Sequence, residues 1–149
     1  MSIVHVRIEI EAPIERVWQT IMDPYRLRDW VTIHRSLSNV SPNPLAPGAQ
    51  MDQVLHIRGV SFKVHWTLRD VRPPAMARWE GRGPAHSEAK ILYRLESNGA
   101  RLTSFDYTNE FHTPGGVLGN VASRVFVGGV SEREAHNSLS RLKQLLERG

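Results

Sequence analysis

The first apolar residues of the chain alternate with polar ones, which predicts a half-buried β-strand. After a mixed start at Ile3, the residues Val6, Ile8 and Ile10 share one face, with charged residues between them. Side chains that recur every second residue lie on the same side of a strand. One face of this strand is therefore expected to lie against the core.

The apolar period then changes to that of a helix. The next apolar residues fall at positions i, i+3, i+4 and i+7, which make one helical stripe: Ile14, Val17, Trp18 and Ile21. Pro13 suits the first helical position, because its missing N–H needs no partner there. The pair Asp23-Pro24 ends this helix and begins a second short one, with Asp23 as N-cap and Trp30 near its end.

The clearest pattern in the chain is a β-hairpin that follows a weak strand at 33–40 and a proline-rich loop. Segments 51–58 and 61–69 alternate and flank Gly59-Val60, which suits a two-residue type II′ turn. That turn places Gln53 opposite Trp66 and makes Gln53 the one polar residue on the inner face. The outer face carries polar residues: Asp52, His56, Lys63 and His65.

Three more strands are predicted, at 75–82, 89–97 and 101–111. A two-residue turn at 98–99 would place Ile91 opposite Asp106 and mix the two faces. A three-residue loop with a bulge places Ile91 opposite Tyr107, so we predict the bulge. If the bulge lay elsewhere, the faces would exchange, and the carboxylates of Asp106 and Glu110 would enter the interior.

Residues 117–148 predict one long helix with two apolar stripes. The first stripe contains Val121 and Val125, and the second contains the leucines Leu139, Leu142 and Leu146. Gly128-Gly129 lies between the two stripes, although glycine costs about 1 kcal/mol relative to alanine inside a helix. This pair indicates a kink, a close contact with the sheet, or room for a ligand beside the helix.

Length and composition narrow the class of protein. The chain has 149 residues, of which 40% are apolar and 23% charged, as expected for one globular domain over 1–149. Cysteine is absent, which excludes disulfides and thiolate metal sites. No apolar run reaches the roughly 20 residues that span a bilayer. We therefore expect no membrane insertion, and a cytoplasmic location. The net charge is +4, but the basic residues are dispersed along the chain, so we expect no nucleic-acid partner.

Catalytic motifs are absent from the sequence. It contains no glycine-rich phosphate loop, nucleophile elbow or HExxH motif, so we expect no catalytic residues, no cofactor and no metal. In the predicted hairpin, His56 and His65 lie diagonally across the outer face without a third ligand, which favours solvated side chains. His34, after the second helix, is the best-placed candidate acid or base.

The order of elements is one strand, two short helices, six strands and a long C-terminal helix. With APIERVW and DPYRLRDW at the front, YTNEFHTPGG before the last helix and SLSRLKQLLE near its end, this order resembles the START-like superfamily. Within it, the chain is most similar to the polyketide cyclase/dehydrase and lipid-transport group, also called SRPBCC. The resemblance covers nearly the whole chain.

The resemblance implies an α+β helix-grip fold. In that fold a curved antiparallel sheet of seven strands wraps a long C-terminal helix, a deep cavity lies between them, and two short helices after the first strand cover one end. The group's functions include binding of lipids, sterols or hormones, cyclisation of aromatic polyketides, and interactions with chaperones or other partners. The fold does not choose among these functions.

The candidate ligand-binding residues follow from the strand alternation. Seven side chains are expected on the concave face: Gln53, Trp66, Trp79, Tyr93, Tyr107, Asn109 and Phe111. Trp30 is expected near the cavity mouth, and Val121 and Val125 on the helix. An apolar pocket with a few convergent polar groups is typical of small-ligand sites. The alternative is that these aromatic residues fill a solid core.

Three functions remain open at this point. The leading hypothesis is a binding protein that encloses a hydrophobic small molecule such as a lipid or polyketide. Its ligand would be oriented by the inward polar residues Gln53, Tyr93, Tyr107 and Asn109. The second is a cyclase or dehydratase that accelerates reaction by holding a reactive chain in one conformation. The third is a partner-binding module that uses the second helix or the loop 41–48 as its contact surface.

Overall fold

The computed structural model describes residues 2–112 and 129–148. In chain order its elements are β1 (Ser2–Ile10), α1 (Ile14–Met22), a 3-10 turn (Pro24–Arg26), α2 (Leu27–Trp30), β2 (His34–Ser38), β3 (Gln50–Ile57), β4 (Val60–Arg72), β5 (Met76–Arg82), a second 3-10 turn (Pro84–His86), β6 (Glu88–Ser97), β7 (Thr103–His112) and α3 (Gly129–Arg148). The first stripe of the predicted C-terminal helix, with Val121 and Val125, lies outside the described residues.

The seven strands form one antiparallel sheet in the order β1-β7-β6-β5-β4-β3-β2. Helix α3 contacts β1 and α2, and it buries the predicted leucine stripe: Leu139, Leu142 and Leu146 are at most 2% exposed. This arrangement confirms the predicted α+β architecture. The core lies between the inner face of the sheet and these helices.

The segment between β1 and β2 folds as its sequence pattern predicts. Helix α1 buries Val17, Trp18 and Ile21. Pro13 is the N-cap residue of α1 and lies one position before the predicted one. The Oδ1 atom of Asp23 accepts a hydrogen bond from the backbone N–H of Tyr25 at 3.0 Å, which confirms the predicted cap of the second helical segment.

The β3–β4 hairpin turns one residue earlier than predicted. Its turn residues are Arg58 and Gly59, with φ angles of +49° and +81°, which is the conformation of a type I′ turn. Gln53 consequently lies opposite Val64 and not opposite Trp66. Because the register error is two residues, every side chain keeps its face, and the predicted inner set of this hairpin is correct.

The β6–β7 hairpin shows the same kind of error. Residues 98–102 form a five-residue loop in place of the predicted three-residue loop, and Tyr107 lies opposite Tyr93, not Ile91. Ile91 lies opposite Asn109. A shift of two residues again preserves the faces, so the aromatic residues of both strands point inward as predicted.

The alternative that brings two carboxylates into the interior is excluded. The Asp106 side chain lies on the outer face of β7, where His5 Nε2 is 2.8 Å and Arg7 Nη1 is 3.2 Å from its oxygens. Glu110 shares this outer face because it lies four residues further along the same strand, opposite Lys90.

Candidate functional site

A cavity of about 110 Å³ lies between the inner face of the sheet, the α1–α2 segment and α3. Eight of the ten residues predicted to bind ligand line it: Trp30, Gln53, Trp66, Trp79, Tyr93, Tyr107, Asn109 and Phe111. The other two, Val121 and Val125, lie outside the described residues. The structure thus brings the described candidates to one cavity, and their contact with a ligand stays a prediction.

Trp30 lies deeper than the mouth position expected for it. Its side chain is 1% exposed and forms part of the cavity wall, near the ring of Tyr93 at 6.4 Å between centroids. The α2 segment therefore contributes a buried aromatic wall. Trp18, which is 8% exposed, belongs to the surrounding core cluster.

Two hydrogen bonds link three polar side chains, of which Trp66 and Gln53 line the cavity. Trp66 donates its indole N–H to Gln53 Oε1 at 2.9 Å, and Gln53 Nε2 lies 2.9 Å from His34 Nδ1. An indole nitrogen can only donate, so the amide oxygen of Gln53 faces Trp66 and its NH₂ group faces His34. His34 must then accept at Nδ1, which requires that this nitrogen carries no proton.

His34 is held neutral by its surroundings. Burial lowers the pKa of its imidazole, and the positive charge of Arg28 lowers that pKa further. Because Nδ1 already accepts from Gln53, the predicted candidate acid or base serves to position that amide. If Nδ1 carried a proton, two hydrogen-bond donors would face each other, and the hydrogen bond with the NH₂ group of Gln53 would be lost.

Two tyrosines form the centre of the sheet wall. The ring of Tyr93 packs edge-on against Phe105, with centroids 5.5 Å apart, and lies 6.1 Å from the ring of Tyr107. Burial raises the pKa of both phenols, for Tyr107 to about 12. The nearby Tyr107 raises the pKa of Tyr93 further. Both phenols are therefore neutral at physiological pH and can donate a hydrogen bond.

Two polar atoms in the cavity wall have no hydrogen-bond partner among the described residues. They are Trp30 Nε1, a donor, and Asn109 Oδ1, an acceptor. The amide nitrogen of Asn109 donates to the hydroxyl of Tyr107 at 3.2 Å. A buried polar group without a partner costs about 1–3 kcal/mol. Both atoms are fully buried, so a ligand in the cavity could bond them only after the neighbouring side chains shift.

Sequence reasoning missed a polar group at the opposite wall. Glu134 and Ser138 of α3 line the cavity, and both contact Thr32, which follows α2. Ser138 lies four positions before Leu142, so helical spacing places it on the same side of the helix as the predicted leucine stripe. Glu134 lies one turn further back.

The outer histidines are not diagonal neighbours as predicted. In the observed register His65 lies opposite Asp52, with Nδ1 2.5 Å from a carboxylate oxygen, and His56 lies opposite Ser61, with Nδ1 2.7 Å from the hydroxyl. Each histidine thus has its own partner on the outer face.

The fold and the cavity together define a class of protein, in which an antiparallel sheet and a C-terminal helix border a mostly apolar cavity. Residues 1–147 match the family model described as polyketide cyclase / dehydrase and lipid transport. The chain belongs to this family. Within the described residues, no helix is both long and apolar enough to cross a membrane.

The chain is also similar to individual known proteins. Toxin Rv0910 of Mycobacterium tuberculosis is 26% identical over 101 residues, which cover 66% of this chain and 69% of the relative. The Zhui aromatase/cyclase from a Streptomyces species superposes with a TM-score of 0.83 at 16% identity, over 99% of this chain and 94% of that chain. A conserved protein from Geobacillus kaustophilus superposes with a TM-score of 0.79 at 19% identity, over 99% of this chain and 96% of that chain. These likenesses confirm the helix-grip fold.

Proposed function

We propose that this chain, as one domain over 1–149, binds a hydrophobic small molecule such as a lipid or polyketide in the cavity between the sheet and α3. The observation that carries the proposal is the cavity itself, whose wall is mostly apolar and includes a few polar side chains, among them Tyr93, Tyr107 and Asn109. A solid core would leave no such space, whereas a ligand with an apolar body and polar substituents matches a wall of this composition. Membership of the polyketide cyclase / dehydrase and lipid transport family supports the same ligand class.

Apolar burial would supply most of the affinity. Removing apolar surface from water contributes about 25 cal/mol per Å², and the lining residues are mostly aliphatic and aromatic. The polar groups would set orientation. Gln53 already bonds Trp66 and His34, so that orienting role falls chiefly to Tyr93, Tyr107 and Asn109.

The cyclase alternative draws support from a carboxylate in the cavity wall and from family membership. Glu134 lines the cavity, and an inward acidic side chain favours a cyclase or dehydratase. Holding a reactive chain in one conformation would supply most of such an enzyme's rate. Formation of a cyclised or dehydrated product from a bound polyketide chain would distinguish this function from simple binding.

The test is native mass spectrometry of protein purified from its own host, followed by extraction and identification of any bound compound. We expect a co-purifying hydrophobic molecule in the wild-type protein and less of it in Tyr107→Phe. Tyr25→Phe is the matched control, because Tyr25 is 65% exposed and lies away from the cavity lining. Protein that is empty from its host and takes up no lipid or polyketide from an added extract would refute the proposal.

A further inference from the structure

The acidic and basic side chains in the described part of the cavity wall are all acidic. Among the described lining residues these are Glu88 and Glu134, and that set contains no lysine, arginine or histidine. Glu88 is exposed at the start of β6, whereas Glu134 is partly buried on α3. An anionic ligand would therefore meet carboxylates in the described wall and find no cation there to pair with.

The hydrogen bonds around Glu134 all point toward its carboxylate. The Thr32 hydroxyl donates to Glu134 Oε2 at 2.9 Å, so its single proton is used. Ser138 Oγ accepts a hydrogen bond from the backbone N–H of Thr32 at 3.1 Å. It also lies 3.2 Å from the Thr32 hydroxyl oxygen. Because the Thr32 proton is already used for Glu134, the Ser138 hydroxyl is the donor in this second contact. This donor chain ends on Oε2 and leaves Oε1 of Glu134 without a partner among the described residues.

The chain of donors also holds the carboxylate in place. Thr32 follows α2, and Ser138 and Glu134 lie one turn apart on α3, so the three residues join the segment after α2 to the helix behind the cavity. A fixed acceptor loses little freedom when it binds a ligand hydroxyl, and such preorganised groups give selectivity. Charge-assisted hydrogen bonds of this type are among the stronger ones.

We propose that Glu134 is a specificity-determining residue, whose carboxylate accepts a hydrogen bond from a hydroxyl group of a neutral ligand and disfavours anionic amphiphiles. The inference rests on the proposed binding function and adds the charge class of the ligand. Phenols, enols and alcohols fit this wall, because each is neutral and donates a hydrogen bond that the Glu134 carboxylate can accept. Fatty acids and other carboxylates would place like charges side by side.

The experiment compares matched ligands that differ in one polar group. Isothermal titration calorimetry at neutral pH would measure 4-propylphenol, which is neutral, and 4-propylbenzoate, which is ionised. A second pair, 1-dodecanol and dodecanoate, offers the same contrast on a lipid-like chain. We expect the neutral member of each pair to bind at least about tenfold more tightly, because burying an anion beside Glu134 is unfavourable.

Two variants test whether Glu134 causes this preference for neutral ligands. Glu134→Gln keeps an acceptor for Thr32 and removes the charge, and it should reduce the tenfold preference to about threefold or less. Glu132→Gln is the control, because Glu132 lies on the same helix with its side chain 63% exposed. A melting temperature within a few degrees of wild type would show that both variants are folded.

The outcomes separate this inference from the proposed function. If neutral and anionic members bind equally to the wild-type protein, or if Glu134→Gln leaves their ratio unchanged, the role of Glu134 is wrong and cavity binding stands. If neither member of either pair binds, the inference fails, and the uptake of compounds from an added extract decides the cavity function separately.

Discussion

The indole ring of Trp66 lies directly on the backbone of Gly81 in the neighbouring strand. A Cβ atom built on Gly81 would come within 2.6 Å of Trp66 Cζ3 and 2.8 Å of Val64 Cγ1. Only a residue without a side chain leaves room for this ring. Glycine weakens a strand but permits such an approach, and here it holds Trp66 in a position where its N–H reaches Gln53.

Replacing Gly81 with alanine should therefore disturb the cavity wall. The added methyl group must displace Trp66 or Val64, and overpacking of this kind typically costs about 1–3 kcal/mol. We expect the free energy of unfolding of Gly81→Ala, measured by urea denaturation, to fall by that amount. In Gly81→Ala/Trp66→Leu the clash with the indole ring is relieved and only the clash with Val64 remains, so the combined loss should be smaller than the sum of the single losses. Strictly additive losses would show that the ring does not press on this backbone.

Burial of His34, together with the positive charge of Arg28, should make the protein sensitive to mild acid. The pKa of His34 is lowered below its ordinary value of 6.5, so the unfolded chain takes up a proton before the folded protein does. Stability is then complete above pH 6.5 and falls as pH decreases from 6.5 toward the lowered folded pKa. Melting temperatures at pH 7.5 and 5 should show this loss in the wild-type protein.

His34→Asn is the informative variant for this effect, because asparagine offers an acceptor to Gln53 but does not titrate. Its melting temperature should change less between the two pH values. His136→Gln, which removes a histidine 58% exposed on α3, should behave as wild type. An unchanged acid response in His34→Asn would mean that another group is responsible.

Tyr107 should contribute to a loss of stability at high pH, as should Tyr93, whose pKa is raised further. The folded pKa of Tyr107, about 12, exceeds the ordinary value of 10, so the folded protein keeps the phenolic proton longer than the unfolded chain does. The stabilising effect is complete below pH 10 and disappears as pH rises from 10 to 12, by at most about 3 kcal/mol at 1.36 kcal/mol per pKa unit. Urea denaturation across this range should be flatter for Tyr107→Phe than for Tyr25→Phe. Equal slopes for these two variants would contradict the assignment.

The parts of the fold that depend on periodicity were predictable, and those that depend on turn geometry were not. The period of two places Gln53 and Tyr107 on the inner face whatever the register, because both register errors were even. The two hairpin registers themselves depend on local φ angles, as at Arg58, where a non-glycine residue takes φ of +49°. Sequence alone favoured glycine for the first turn position.

The polar groups of the cavity were harder to predict for a different reason. The contacts of Thr32 with Glu134 and Ser138 join residues more than 100 positions apart. Helical spacing could have placed Ser138 on the buried side of α3, but no local pattern identifies Thr32 as its partner. Likewise, the unpartnered state of Trp30 Nε1 appears only once the surrounding elements are in place.

Trp30 offers a direct spectroscopic report on whether the cavity is filled. The chain has four tryptophans, and the indole N–H of Trp30 has no partner among the described residues, whereas that of Trp66 bonds Gln53. When a ligand hydroxyl or carbonyl accepts from Trp30, its indole proton should move downfield in a ¹H–¹⁵N spectrum. Trp18, which is not a lining residue of the cavity, should change little.

Assignment of these signals requires only Trp30→Phe and Trp18→Phe, each of which removes one indole resonance. Titration with 4-propylphenol should then shift the Trp30 signal by far more than the Trp18 signal, with a midpoint equal to the calorimetric dissociation constant. Binding measured by calorimetry while the Trp30 signal stays in place would show that the ligand leaves this donor unsatisfied. The polar end of the ligand would then have to lie against the sheet wall, near Tyr107 and Asn109, and not against α2.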